Sequence, residues 1–223
     1  MLTILFDGVA YGMLLFILAV GLAVTMGLMN FINLAHGAFA MAGGYITVLL
    51  MQRFGVPFLL CLPLAFIASA LLGGVLERTL YRPLYHKPHL DQVLFSIGLV
   101  FMAVASVDYF VGSTQQIMQL PEWLKGRTEL GSGDWMLGMG HYRLFIIAVC
   151  AALTVALQYV LARTRFGSRL RASVDDQRVA AGLGINVNIV FLSTFAVGSG
   201  LAGLGGALGA EVLGLDPSFP LKF

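Results

Sequence analysis

Charge is what this sequence has least of. Of its 223 residues only 11% are charged while 59% are hydrophobic, and the mean hydropathy is +0.90. A water-soluble globule, in which roughly a quarter of residues are charged, is excluded. Cysteine is also scarce, with 2 residues, which excludes a disulfide scaffold. Cys61 and Cys150 both lie inside apolar runs, where an unpaired thiol behaves as a small hydrophobe. The 27 glycines show no three-residue period, so no collagen-like repeat is present, and the apolar content is too high for disorder. A net charge of +2 supplies no basic surface for nucleic acid. The solvent that fits this composition is a lipid bilayer.

A membrane-crossing helix needs about 20 mainly apolar residues to cover ~30 Å of hydrocarbon. Six mainly apolar runs approach that size, at 8–29, 34–51, 56–76, 93–111, 144–162 and 187–210, with Asp108 near the end of the fourth. They are too long and too glycine-rich for barrel strands, which alternate over about 10 residues. The expected class is therefore an all-α polytopic transmembrane bundle of about six helices, a single domain over 1–223. The 1–20 region has no basic segment at its start, carries Asp7 and runs on too far in apolar residues for a signal peptide, so it is expected to stay as the first helix.

The few Lys and Arg residues orient the bundle. Arg78, Arg82 and Lys87 follow the third run, and Arg163, Arg165, Arg169, Arg171 and Arg178 follow the fifth. An even number of helices separates these clusters, so both can be cytoplasmic. The 112–142 segment balances Lys125 and Arg127 against Glu122, Glu129 and Asp134 and is expected outside, as an ordered loop with interfacial Trp123 and Trp135. The N-terminus is then also outside.

The 163–186 segment reads as a cytoplasmic coupling loop built on a short helix. Ser173 suits the N-cap, Asp175 and Asp176 sit in the first turn where carboxylates oppose the positive dipole end, and Gly182 or Gly184 can end it. About two turns of helix are too few to stand alone, so tertiary or partner contacts must support them. A merely solvated basic loop is the plain alternative. The apolar Val174, Val179, Ala180, Ala181, Leu183 and Ile185 argue for a docking surface instead.

The run RASVDDQRVAAGLGI at 171–185 resembles the cytoplasmic coupling loop of permease subunits in bacterial ABC importers, in the branched-chain amino acid branch. GLMNFINLAHG at 27–37, followed by Met41, Gly43, Gly44 and Tyr45, is similar to that family's hallmark near its second helix, and ERTLYRPL at 77–84 resembles a third segment. Three motifs in matching order along nearly the whole chain are far more specific than hydropathy. The resemblance implies an inner-membrane permease moving leucine, isoleucine and valine by ATP-driven alternating access. Its implied partners are a second permease, two ATPase subunits and a periplasmic or extracellular substrate-binding protein. The chain would not itself be an enzyme: no Gly-x-x-x-x-Gly-Lys-Ser/Thr pattern occurs, no cofactor is bound directly, and ATP is used by the partner subunits. In that scheme Arg169, Arg171, Asp175, Asp176 and Arg178 form the polar rim of the ATPase contact. Val179, Ala181 and Ile185 form its apolar part, with Gly182 and Gly184 shaping the turn. Family members usually carry further helices after a segment like 213–219, so the resemblance also implies a fragment or a shortened chain.

Two other constellations stand out. Asn30, Asn33 and His36, beside Gly37, form the strongest intramembrane polar cluster, and polar groups at that depth must pair or line a cavity. This cluster is expected either on the substrate path or in a turn at the cytoplasmic interface. Ser199 with Gly203, and Gly205 with Gly209, are small-xxx-small pairs that allow helices to approach closely in lipid. No metal site is expected, because His86 and His89, His141, and His36 fall in separate places without companion ligands.

The residues leave other functions open. An importer of the same architecture for urea or short amides is one. An ATP-independent channel or secondary transporter is another, although it calls for ionisable residues in mid-helix, and apart from His36 the runs contain almost none.

Overall fold

A computed structural model describes residues 2–29, 31–85, 87–130 and 137–222. Among the described residues the chain forms nine α-helices and one short hairpin: α1 Leu2–Met29, α2 His36–Phe54, α3 Phe58–Leu76, α4 His89–Val111, α5 Glu122–Lys125, β1 Arg127–Leu130, β2 Leu137–Gly140, α6 His141–Arg163, α7 Arg165–Asp175, α8 Gln177–Gly182 and α9 Val187–Leu213. Five helices are long and apolar enough to cross a membrane: α1, α3 with its continuation to Leu84, α4, α6 and α9. The sixth expected run is α2, which is not among them and is largely buried in protein along its first half.

Local chemistry sets the boundaries. Gly55, at φ 62°, ends α2 in the left-handed conformation, with its amide on the Met51 carbonyl at 3.2 Å and that of Val56 on Leu50 at 3.2 Å. Only glycine adopts this φ without strain. Pro57 then starts α3, where its missing N–H costs nothing. Beyond Leu76 the helix widens into a π turn, Glu77–Tyr81, and tightens into a 3-10 turn, Arg82–Leu84.

The centre of the bundle is α9, enclosed by α1, α2 and α3. Its small residues face three ways at once. Ser199 and Gly203 lie against Gly73 and Ser69 of α3, Gly206 against the Ala40 backbone of α2, and Gly205 and Gly209 against Leu18 and Leu14 of α1. A Cβ on Gly206 would strike the Ala40 carbonyl, and one on Gly43 the Gly203 backbone. Because lipid removes the hydrophobic drive between helices, this close dispersion contact is what holds the bundle together. By contrast α4 buries only Gln92, Ser96 and Val100, and α6 only Tyr142, Ile146 and Cys150. Their outer faces are apolar and exposed, as suits helices bathed in lipid.

The two ends of the bundle differ. At one, the β1–β2 hairpin pairs antiparallel with Arg127 opposite Gly140, and the Gly138 amide donates to Thr3 Oγ1 at 3.0 Å. At the same end the Gln116 amide donates to the Leu215 carbonyl at 2.7 Å, and Arg143 of α6 pairs with Asp7 of α1. Composition had marked 112–142 only as an ordered loop; the hairpin and α5 are additions. Its tip, with Trp135 and Asp134, lies outside the described residues. Both basic clusters meet at the opposite end, where Arg78 and Arg82 share a cavity wall with Gln177 and Asn188.

Candidate functional site

At the basic end, residues 31–35 turn between α1 and α2, and Asn33 organises that turn. Its Oδ1 accepts from the Ala35 amide at 3.1 Å and from the Tyr81 hydroxyl at 3.0 Å. His36 opens α2 and is buried, its Nε2 3.0 Å from the Leu18 carbonyl in mid-α1. A carbonyl can only accept, so Nε2 carries the proton. Asn33, His36 and Gly37 line a cavity of about 300 Å³ whose other walls are mainly leucines of α1. Asn30, the remaining member of the expected cluster, lies outside the described residues.

Two residues of this site, Tyr85 and Gln92, had drawn no attention in the sequence, and Tyr81 had been marked only as part of the 77–84 segment. Tyr81, at the end of the π turn, is fully buried and stacks edge-on with Phe31 and Phe95. Gln92 of α4 donates to the Leu84 and Lys87 carbonyls, each at 3.2 Å, and accepts from the Ile32 amide at 3.3 Å. It ties the α1–α2 turn to the α3–α4 turn. Tyr85 donates to Glu77 Oε1 at 2.9 Å; burial, with the Glu77 carboxylate beside it, holds this hydroxyl protonated far above its usual range. A lone glutamine at the head of an otherwise apolar run was the available signal for Gln92, and two tyrosines four residues apart were the signal for this turn.

The 163–186 segment departs from expectation. It forms two helices, and Ser173 caps neither. Thr164 caps α7, its Oγ1 accepting from the Gly167 amide at 3.3 Å. Ser173 is 0% exposed, and its hydroxyl returns to the Arg169 carbonyl at 2.8 Å in the helix interior. With that side chain occupied, Asp176 breaks the helix at φ −151° and caps α8, accepting from the Arg178 and Val179 amides at 2.8 and 3.0 Å. Asp175 is consequently the last residue of α7, not part of a first turn. Gly184, at φ 84°, terminates the segment, and the Ile185 amide closes on the Ala180 carbonyl at 3.0 Å.

Of the expected contact residues, Arg169, Arg171, Asp175, Asp176, Arg178, Val179, Ala181, Gly182 and Gly184 are all exposed, and Ile185 is half-buried. Arg171 reaches back to the Leu161 carbonyl of α6. Ala180, 1% exposed, anchors α8 to the bundle, while Val179 at 58% and Leu183 at 75% point away from it. The result is a fixed, two-helix ledge with apolar side chains facing outward at the arginine-rich end.

A bundle of apolar helices around a glycine-lined centre, charged only at its rims, defines a multi-pass membrane protein. The family of branched-chain amino acid transport system permease components matches residues 4–219, and the chain belongs to it. The chain is 28% identical over 225 residues to the high-affinity branched-chain amino acid transport system permease protein LivH of Salmonella typhimurium, spanning 95% of this chain and 71% of that protein. It is 29% identical over 211 residues to the probable branched-chain amino acid transport permease protein LivH of Methanocaldococcus jannaschii, with 92% and 65% covered. The permease protein LivM of Salmonella typhimurium is 26% identical over 213 residues, 88% of this chain and 50% of that one. No solved structure matches.

Proposed function

We propose that the chain is a permease subunit of an ABC importer that carries branched-chain amino acids across the bacterial cytoplasmic membrane. The observation that carries this reading, beyond family membership, is the α7–α8 ledge. It is rigidly capped, rimmed by Arg169, Arg171 and Arg178, and presents Val179 and Leu183 to something other than the bundle. An ATP-driven importer subunit without a nucleotide-binding motif must receive that energy through contact. A capped ledge at the basic end is where an ATPase pair would push, tilting the helices packed on α9. Two ATPase subunits, a second permease and an external substrate-binding protein complete the assembly. The basic end faces the cytoplasm by the positive-inside rule, which leaves the N-terminus and the hairpin outside.

The test is ATP-dependent leucine uptake by the whole assembly in proteoliposomes. Uptake should require ATP and the binding protein, and Ala181→Glu should abolish it while the permease still inserts. Uptake driven equally well without ATP, or unaffected by Ala181→Glu, would overturn the coupling role.

A further inference from the structure

At the basic end a cavity of about 510 Å³ opens between the end of α3 and the start of α9. Arg78 and Arg82 form one wall, and Asn188 of α9 with Gln177 of α8 form the other. Both arginines are exposed, and neither has an ion-pair partner among the described residues. The carboxylate that attracts both is that of Glu77, which is 3% exposed and accepts from the Tyr85 hydroxyl at 2.9 Å. Asp176, next to Gln177 in the chain, turns its carboxylate onto the α8 amides. Two guanidinium groups over one buried carboxylate leave the cavity net positive. Guanidinium forks match the oxygens of a phosphate, and the amide side chains opposite can donate as well.

A second observation comes from the stretch of α3 leading into this cavity. At Gly74 a Cβ would lie 3.8 Å from both Leu192 and Ala196 of α9. The absent side chain leaves a furrow between the two helices. Its rims are Leu71 and Val75, 65% and 60% exposed, and Ile189, 58% exposed. Positions 71, 74, 75 and 78 recur at three- and four-residue spacing and so share one face of α3. The furrow therefore runs straight into the arginines. From Arg78 back to Leu71 it extends about 10 Å along the helix, from the charged rim into the apolar span.

We propose that the cavity and furrow together hold one anionic phospholipid, with its phosphate on Arg78 and Arg82 and an acyl chain beside Gly74. A free phosphate or an acidic side chain of a partner protein would satisfy the arginines but leave the furrow unused. A zwitterionic lipid brings an ammonium that the two guanidinium groups repel. Basic pockets between membrane helices at a charged rim suit anionic headgroups, each Arg near the surface adding to the attraction. The headgroup bridges α3 to the first residues of α8 and α9, so its binding steadies the ledge against the bundle. Nothing in this site depends on which solute the protein carries.

The test titrates the full chain, delipidated in detergent, with dioleoyl phosphatidylglycerol, dioleoyl phosphatidylcholine or inorganic phosphate, and counts bound molecules by native mass spectrometry. One phosphatidylglycerol should be retained in preference to phosphatidylcholine. Arg78→Gln with Arg82→Gln should weaken it about tenfold or more. Gly74→Leu, which fills the furrow, should weaken it several-fold, and should do so even where the arginine pair proves necessary for folding. Arg163→Gln with Arg165→Gln, exposed arginines outside the cavity, should leave it unchanged. Equal losses from the two arginine pairs, or equal retention of the two lipids, would overturn the site in favour of general surface charge. Binding indifferent to Gly74→Leu and displaced by inorganic phosphate would overturn the lipid and leave a phosphate site. Unchanged lipid binding by the Arg78, Arg82 variant with loss of ATPase co-purification would assign the arginines to the partner protein instead.

Discussion

The Tyr81 hydroxyl donates to Asn33 Oδ1 at 3.0 Å, joining residues 48 positions apart in the chain. This one bond links the π turn of α3 to the turn that opens α2. Tyr81→Phe should cost about 0.5–1.5 kcal/mol, the net worth of one buried hydrogen bond, because the aromatic contacts with Phe31 and Phe95 remain. Thermal unfolding of the detergent-purified protein measures it. A loss well beyond that range would show that the ring, not the hydroxyl, is what the site depends on.

The contact of α9 with α2 should tolerate no added volume. Gly206→Val drives side-chain atoms into the Ala40 backbone, and overpacking of this kind costs about 1–3 kcal/mol or more. Gly12→Ala is the matched control, since nothing lies within 4 Å of a Cβ there. Size-exclusion profiles in detergent should show aggregation or loss of the first variant and an ordinary peak for the second. Equal behaviour would remove α9 from the centre of the fold.

Capping of α8 belongs to Asp176, so Asp176→Ala should loosen that helix by about 0.5–2 kcal/mol. Ser173→Ala leaves the α8 cap in place, because the Ser173 hydroxyl bonds within α7. ATPase co-purification should therefore fall for the first substitution and hold for the second. The reverse ranking would restore Ser173 as the cap.

The Asp216 carboxylate should make the end of the chain acid-sensitive. Partial burial alone would raise its pKa, but hydrogen bonds from Lys222 and Ser218 outweigh that and hold it below the ordinary carboxylate range. With a lowered folded value, the stabilisation is present above the unfolded pKa of about 3.9 and is lost as pH falls through the folded one. Amide exchange at Ser218, whose N–H donates to Asp216 at 2.8 Å, should accelerate as pH falls below about 4, relative to other amides. Asp216→Asn should abolish that step. A step that survives the substitution would belong to another group.

Orientation is checked with two single cysteines. Cys61 and Cys150 are buried and should react little with a membrane-impermeant maleimide. Glu122→Cys, at the hairpin end, should label from outside intact cells. Asp175→Cys should label only after the membrane is opened. The opposite pattern would invert the bundle.

Much of the architecture was legible in the chain. The six apolar runs became α1, α2, α3, α4, α6 and α9, since hydrocarbon permits only segments that satisfy their own backbone. The 163–186 segment was visible as a basic, capped stretch, but its cap was misassigned because Ser173 and Asp176 are comparable N-caps in isolation. Burial decided between them: the serine faces the bundle and finds its partner one turn back. Gln92 was passed over, and Tyr81 was seen only as part of the 77–84 motif, because a single polar side chain has no visible partner until distant turns are brought together.

Composition and the placing of apolar runs thus determined the solvent, where the long helices lie and which loops carry the arginines, because those follow from transfer energies that act residue by residue. The three-way use of the α9 glycines, the cavity beside Asn33 and the bond from Tyr81 to the Asn33 oxygen were decided by tertiary structure alone. They depend on which helix faces which, and close approach between backbones has no signature in the order of residues along either one.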